Sequence, residues 1–403
     1  MKKEDQLSFW QLACINGSYV GLPGIFLGGV LSQDVGPLAA ITSIIIGNFL
    51  LWIIGLGIIS MAYRGQHAIE NIKNYLGKST SYFAALIWVL SFTTWYTLQI
   101  KGATQGFENV YPTSKPEQIV VLGVILGVAT SLISLGGIRL IQRMCVIGLP
   151  LMACYLIYVF ATSSHTIQYD GLAISISKIL TVILFWLTAT VNLPTIFRYS
   201  RSSEDSVLGL SIATMIRIFF QLSGIFVGVS NFTSHSNLII FALFILISFV
   251  LSNLLNIYFA SAVWDTIFSK YISKLKYVFI GFFGSVAYVI FYFANYIYDI
   301  SYSMEFIELL LLSFISSLGC ILLIGFMIHL VVRHRPNPFE KLWCSFCWLI
   351  GCSTSFYYQF HSNIESNIPL IKGIVASILS FLVILFIEET VWSVRHVQKA
   401  DEL

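Results

Sequence analysis

The chain has 403 residues, of which 57% are hydrophobic, 15% aromatic and only 10% charged. Soluble domains carry about a quarter charged residues, so this composition excludes one and indicates a polytopic membrane protein. The net charge of +3 is too small to point to a nucleic-acid partner.

The N-terminus, Met1-Lys2-Lys3-Glu4-Asp5, is short and mixed in charge. The apolar run behind it is too long for a signal-peptide core and has no small-residue cleavage site, so it reads as a retained first helix. At about 20 residues per crossing, the apolar runs predict about twelve transmembrane helices. They lie at 9–33, 37–62, 82–104, 118–137, 139–162, 173–197, 206–229, 237–265, 273–296, 303–332, 341–358 and 368–388. The weakest boundary separates the fourth and fifth crossings, where Gly136-Gly137 is the sole separator.

Orientation follows from the basic residues. With the N-terminus inside, Lys2, Lys3, Arg64, Lys73, Lys78, Arg139, Arg143, Arg198, Arg201, Lys270, Lys274, Lys276, Arg333, Arg335, Lys341, Arg395 and Lys399 all fall on the cytoplasmic side. The outer segments keep Lys101, Lys115 and Lys372 near helix ends and carry Asp34, Glu108, Glu117, Asp170, Asp299 and Glu365. The expected location is the cell (inner) membrane, multi-pass, with both termini cytoplasmic.

The first crossing contains Asn16-Gly17-Ser18-Tyr19-Val20-Gly21-Leu22-Pro23-Gly24. Pro23 removes a backbone donor and the glycines permit unwinding. The sixth crossing runs from Trp186 into Thr188, Thr190, Asn192 and Pro194, then exits into Arg198 and Arg201. Lipid cannot satisfy backbone groups freed by such breaks, so protein or a water-filled cavity must lie alongside. The two crossings are five apart and therefore run in opposite directions. Paired interrupted helices point to an inverted-repeat transporter with its site at the midplane. Two Pro-kinked helices without a transport role would leave the same marks.

In the third crossing Trp95 and Gln99 are four apart and share a helix face. An indole beside a primary amide suits a flat, hydrogen-bonding heterocycle; alone, the pair reads more readily as a packed Trp and an interhelical amide. The eighth crossing holds Ser248, Ser252, Asn253 and Asn256. Their oxygens suit a hard cation such as sodium and their amides a polar ligand, although polar glue between helices is the common use. Arg217 lies near the middle of the seventh crossing with no acidic residue in that helix to pair with. It must find a carbonyl, a carboxylate on another helix or a water-lined face. No Asp or Glu lies deep in any crossing, which argues against a proton relay and a cationic substrate and leaves sodium open.

The seven cysteines fall in or beside apolar runs. Cys344-x-x-Cys347 has a metal or redox spacing, but neither a second pair nor a His frames it, so the two read as packing residues. No spacing of His, Ser, acid or Gly residues suggests an enzyme.

The stretch Phe185-Trp186-Leu187-Thr188, Asn192-Leu193-Pro194, Arg198-Tyr199-Ser200-Arg201-Ser202, Asp205 and Gly209 resembles the sixth helix of the nucleobase-cation symporter-1 family. That family includes transporters for hydantoins, allantoin, uracil, cytosine and purines. Trp95-Tyr96-Thr97-Leu98-Gln99 is similar to its third-helix pattern, with Thr97 where glycine is usual; Gly47-Asn48 also fits. Thr195 stands where the family has an acid.

The resemblance implies an all-α LeuT-like fold with a five-plus-five inverted repeat and two added helices. The first repeat would span 1–162, the second 163–335, and 336–403 would hold the added helices and a cytoplasmic tail. It implies that Trp95 and Trp186 sandwich a planar ring, that Gln99 bonds its amide edge and that Thr188 faces it. Asn253 matches the family's polar position better than Asn256. Sodium would be held by Ser252, by the Ser248 backbone carbonyl and by carbonyls near Ser18 and Gly21. Leu251 lacks the second hydroxyl of the family's ion site, which leaves protons as the other coupling ion. The resulting expectation is a secondary-active importer of a nucleobase-like heterocycle, with no cofactor beyond its coupling ion. An amino-acid/cation symporter, its substrate carboxylate held by amides near Gly17-Ser18, and a non-transporting sensor are the alternatives. The sequence does not specify the oligomeric state.

Overall fold

A computed structural model describes residues 6–60, 67–111, 115–162, 174–227, 235–268, 275–298, 311–324, 338–361 and 368–401. In chain order the helices are α1 (Phe9–Ser18), α2 (Gly21–Val35), α3 (Pro37–Ser60), α4 (Ala68–Leu76), α5 (Lys78–Val110), α6 (Pro116–Ser134), α7 (Gly137–Thr162), α8 (Ile176–Val191), α9 (Pro194–Phe197), α10 (Ser203–Val227), α11 (His235–Ile267) and α12 (Lys276–Tyr298). They are followed by α13 (Leu311–Ile324), α14 (Pro338–His361) and α15 (Ile368–Asp401). Among the described residues the sole non-helical pairing is an isolated parallel bridge between Leu7 and Ser200.

Among the described residues nine helices are long and apolar enough to cross a membrane, ten when the bent α1–α2 pair is taken as one span. The protein is a multi-pass membrane protein. The predicted tenth crossing is described only as α13, since 303–310 and 325–332 lie outside the described residues. The predicted eleventh forms α14, which is not among those apolar spans. Lys2, Lys3, Arg64, Asp170, Lys270, Lys274, Asp299, Arg333, Arg335 and Glu365 lie outside the described residues, as does the repeat boundary at 335/336; the one at 162/163 borders them. The thin boundary at Gly136-Gly137 does separate two helices, α6 and α7, each long enough to span. Gly137 has φ +64°, a left-handed conformation that other residues adopt at a cost.

The chain forms two compact units, one of Met1–Ala68 with Ala85–Glu308, the other of Ile69–Ala84 with Leu309–Leu403. In the second, Trp348 Nε1 donates to the Phe314 carbonyl (2.8 Å) and Ser355 to Ser313 (2.7 Å), which ties α14 to α13. Lys372 Nζ lies 3.5 Å from the centre of the Tyr358 ring, pinning α15 to α14. All seven cysteines are free thiols.

In the first unit the closest helix contact joins α2 to α10. A Cβ on Gly28 would fall 1.8 Å from the Gln221 carbonyl oxygen, and one on Gly224 2.0 Å from that of Ile25. Small residues let backbones meet in this way. Gln221 also accepts from Asn48 Nδ2 of α3 (2.8 Å). Lys178 at the start of α8 pairs with Asp34 at the end of α2 (2.6 Å).

Both breaks are narrower than the sequence implies. α1 and α2 meet at 58°, and only Tyr19 and Val20 lie between them. Gly17 and Ser18 end α1, and Gly21 begins α2. Pro23 sits in the first turn of α2, where its missing N–H costs nothing. Asn192 and Leu193 separate α8 from α9, and Pro194 is the first residue of α9. Thr195 there donates to Asn192 Oδ1 (2.6 Å), and both side chains are buried. A hydroxyl thus takes the place of the expected carboxylate and holds the joint.

The N-terminal segment is clipped to the residues after α9. Leu7 N donates to the Tyr199 carbonyl (2.7 Å) and Arg201 N to that of Leu7 (3.2 Å). Asp205 accepts from Phe9 N (2.9 Å), so the motif aspartate anchors the start of α1. The two broken helices are joined where α1 begins and α9 ends.

Candidate functional site

A cavity opens beside the α1–α2 joint. Tyr19 and Pro23 line it from the joint, Phe92, Trp95 and Gln99 from α5, Phe185, Trp186, Thr188 and Ala189 from α8, and Asn256 and Phe259 from α11. The spacing explains the convergence. Residues 92, 95 and 99 fall on one face of α5, and 256 and 259 on one face of α11. The lining, aromatic with a few amide and hydroxyl groups, suits a small, flat, partly polar ligand.

Trp95, Gln99, Trp186, Thr188 and Asn256 are therefore brought together. Asn253 is not. It is fully buried behind the wall, where its Oδ1 accepts from Asn256 Nδ2 (3.3 Å). Both were expected at the ligand, Asn253 as the better match to the family position; Asn256 is the one that lines the cavity. Their spacing of three puts the two on adjacent positions of one helix face, and Asn256 is the one turned to the cavity. Thr97 faces away from it, donating to the Gly284 carbonyl of α12 (3.1 Å).

Sequence reasoning missed Tyr19, Phe92, Phe185, Ala189 and Phe259. Phe185 is the most consequential. It stands edge-on to Trp95 (5.3 Å between centroids, 78°) and to Trp186 (4.9 Å, 76°), so it contacts both indoles. Its place in the Phe-Trp pair was a usable signal, as was the one-turn offset of Phe259 from Asn256. Tyr19 packs on Trp186 at 5.6 Å. Its position in the break was legible, its contact was not.

Arg217 finds neither a carboxylate nor a carbonyl among the described residues. Its Nη2 donates to the Tyr19 hydroxyl (3.4 Å), and its guanidinium lies 5.5 Å from the centre of the Trp186 ring. Both partners line the cavity.

The predicted ion ligands divide. Ser252 Oγ donates to the Tyr19 carbonyl (3.2 Å), and Ser248 Oγ accepts from Leu22 N (2.6 Å). Ser248 thus meets the joint through its hydroxyl rather than its backbone carbonyl. A Cβ on Gly21 would lie 2.1 Å from that hydroxyl, so Gly21 is what allows α11 this close. The Ser18 hydroxyl donates to the Cys14 carbonyl (2.5 Å) of its own helix; the expected role there lay with backbone carbonyls. The oxygens at the joint are Tyr19 O with Ser252 Oγ, and Ser248 Oγ at Leu22. They are neutral, as a weakly held monovalent cation would require, and fewer than such an ion usually takes. Among the described residues no cluster of three or more His, Cys, Asp or Glu could hold a metal.

A second cluster lies where α9 ends. Arg198 stacks on the Tyr199 ring (4.5 Å) and donates to His67 and to the Tyr258 hydroxyl (3.5 Å). Tyr258 in turn donates to Tyr199 (3.0 Å). This links the broken helix to α11 and to the segment before α4. Burial first, then the charges of Arg198 and Lys276, push His67 from 6.5 down to about 3. Between those values the unfolded chain binds a proton that the folded one refuses, so stability rises with pH across this window. The melting temperature in detergent is expected to fall as pH drops from 7 to 5, and His67→Gln to flatten that slope. An unchanged slope would remove His67 from the account.

No family model matches the chain, and no curated protein matches it. Solved structures do. Mhp1, a nucleobase-cation-symport-1 family transporter in a closed conformation with bromovinylhydantoin bound, matches with a TM-score of 0.67. The match covers 96% of this chain and 94% of that one at 14% identity. A Na+-coupled sialic acid symporter in a substrate-bound outward-open state gives 0.68 over 94% and 90% at 12% identity. A mutant of the Eremococcus coleocola manganese transporter gives 0.64 over 97% and 94% at 13%.

The chain has the fold of these transporters. It is the all-α LeuT-like membrane fold with two broken helices, and the solved structures that share it are transporters rather than enzymes. At these identities the likeness is one of backbone path.

Proposed function

We propose that the protein is a secondary-active transporter of the nucleobase-cation symporter-1 type. It carries a small planar heterocycle and belongs in the cell membrane with both termini cytoplasmic. The observation that carries this reading is the cavity itself. Two indoles, two primary amides and a hydroxyl converge there, directly on the joint of a broken helix. The ring would pack among Trp95, Phe185 and Trp186, with Gln99 and Asn256 bonding its polar edge. A ring lacking a matching group would leave a buried amide unpaired, which is how such a site discriminates.

In this reading residues 1–162 and 163–335 are the inverted repeats and 336–403 an addition. Ligand contact at Tyr19 and Trp186 acts on both broken helices. The clip between Leu7 and Ser200 and the cluster around Arg198 are the contacts that must rearrange for the path at that end to open. Sodium is the coupling ion that the Tyr19, Ser248 and Ser252 oxygens would take, with protons as the other possibility. The amides of Val20 and Leu22 are already bonded, to the Gly17 carbonyl (3.3 Å) and to Ser248, which disfavours capture of an amino-acid carboxylate at the break.

Uptake into proteoliposomes against a panel of labelled pyrimidines, purines, hydantoins and amino acids tests the proposal. Accumulation of a planar ring down an imposed sodium gradient is expected. Accumulation unchanged when choline replaces sodium would move the coupling to protons. Uptake of amino acids alone would sink the heterocycle reading.

A further inference from the structure

We propose that the ligand is an anion, a planar ring bearing a carboxylate, and that Arg217 supplies its counter-charge. This rests on the transporter reading above and names the substrate class of the same cavity.

Arg217 lies in the middle of α10 and is 2% exposed. Among the described residues its interactions are one long hydrogen bond to the Tyr19 hydroxyl and the face of Trp186. Its Nε has no hydrogen-bond partner, and among the described residues no carboxylate pairs with it. An arginine keeps its charge in protein interiors. Taking that charge out of water carries a penalty that a neutral hydroxyl and a ring face do not repay. An ionisable group inside a membrane that lacks a protein partner marks a pathway or a ligand site.

Three further facts point to an anion. First, both groups that Arg217 touches, Tyr19 and Trp186, line the cavity, so its charge lies behind that wall. Second, Trp186, which lines the cavity, also carries an unpaired donor, its indole nitrogen. A neutral ring with balanced donors and acceptors leaves such an excess unmet, whereas a carboxylate brings only acceptors. Third, no acidic residue lines the cavity, so an entering carboxylate meets no repulsion there. The guanidinium fork matches a carboxylate in two parallel bonds, which the spherical charge of a lysine does not. The ring would then lie among the aromatic residues with its carboxylate toward α10, taking the place of the Tyr19 hydroxyl on Arg217. Tyr19 is one of the two residues of the α1–α2 joint, so this exchange acts where the helix bends.

The test uses the purified full-length chain and matched pairs of rings. These are uracil and uracil-6-carboxylate, hydantoin and hydantoin-5-acetate, and nicotinamide and nicotinate, each followed by direct binding and by thermal shift. In at least one pair the carboxylate is expected to bind about tenfold tighter or more. Arg217→Gln should abolish that preference, read as the ratio of the two members' affinities within the same variant. Arg217→Lys, which keeps the charge and loses the fork, should retain a smaller preference. If Arg217→Gln does not fold, wild-type selectivity together with Arg217→Lys decides. Tighter binding of the neutral member in every pair that binds overturns the anion and leaves the transporter reading standing. A carboxylate preference untouched by Arg217→Gln overturns the role of Arg217. Binding of no ring of either kind overturns the heterocycle reading, and this inference with it.

Discussion

Trp186→Ala is expected to weaken ligand binding about 30-fold or more, and uptake at low substrate concentration in proportion. The indole is 4% exposed and central to the site. It touches Phe185 of its own helix, Tyr19 of the α1–α2 joint and Arg217 of α10. Truncation removes the packing surface for the ring and releases three neighbours that it holds in place. Part of the loss will be structural, because emptying a buried Trp site costs about 3–5 kcal/mol of stability in typical cores. Trp186→Phe separates the two contributions. It keeps an aromatic wall and most of the volume, and should recover much of the affinity. Binding measured beside a melting curve for each variant decides. Affinity unchanged in a folded Trp186→Ala protein would show that the cavity is not the ligand site.

Gly224→Ala is expected to prevent recovery of a monodisperse folded protein, whereas Gly29→Ala is expected to be tolerated. The two glycines lie at the same crossing of α2 and α10. A Cβ on Gly224 would lie 2.0 Å from the Ile25 carbonyl oxygen. Backbone on the facing helix cannot move aside without parting the helices. Overpacking of this kind costs about 1–3 kcal/mol even where side chains can yield, and more where they cannot. A Cβ on Gly29 meets its nearest atom, the Gly224 carbonyl oxygen, at an ordinary 3.5 Å. The crossing matters to function because α2 carries Pro23 into the cavity wall and α10 carries Arg217. Gel filtration in detergent and a thermal melt of both variants test the contrast. A Gly224→Ala protein as stable as Gly29→Ala would show that the helices do not cross this closely.

Much of this protein was legible in its sequence because membranes restrict what a chain can do. Apolar runs of spanning length placed nearly every helix, since lipid leaves a backbone few alternatives. The Gly-Ser-Tyr-Val-Gly-Leu-Pro and Asn-Leu-Pro stretches placed both breaks to within a few residues. Their widths were overestimated because proline is harmless in the first turn of a helix, and the sequence does not show where that turn begins. Trp95, Gln99, Trp186, Thr188 and Asn256 were chosen from local spacing and from a resemblance, and the structure gathers them around one cavity.

What only the tertiary structure decided was which residues of different helices meet. Asn253 and Asn256 are equivalent as letters, and only the rotation of α11 turns one to the cavity and the other behind it. Phe185 reads as an ordinary lipid-facing or packing residue until it is found against both indoles. The reach of Ser248 and Ser252 to the joint depends on Gly21, whose missing side chain lets α11 approach. Arg217 shows the difference most sharply. Its sequence says that a charge lies in the membrane and must have a partner. Among the described residues its surroundings supply a phenol and an indole, and both line the cavity. Local sequence determines periodicity, break points and residue chemistry, because these act within a turn or two of one helix. Partnership between helices is set by rotation and close approach, which depend on the packing of the whole bundle.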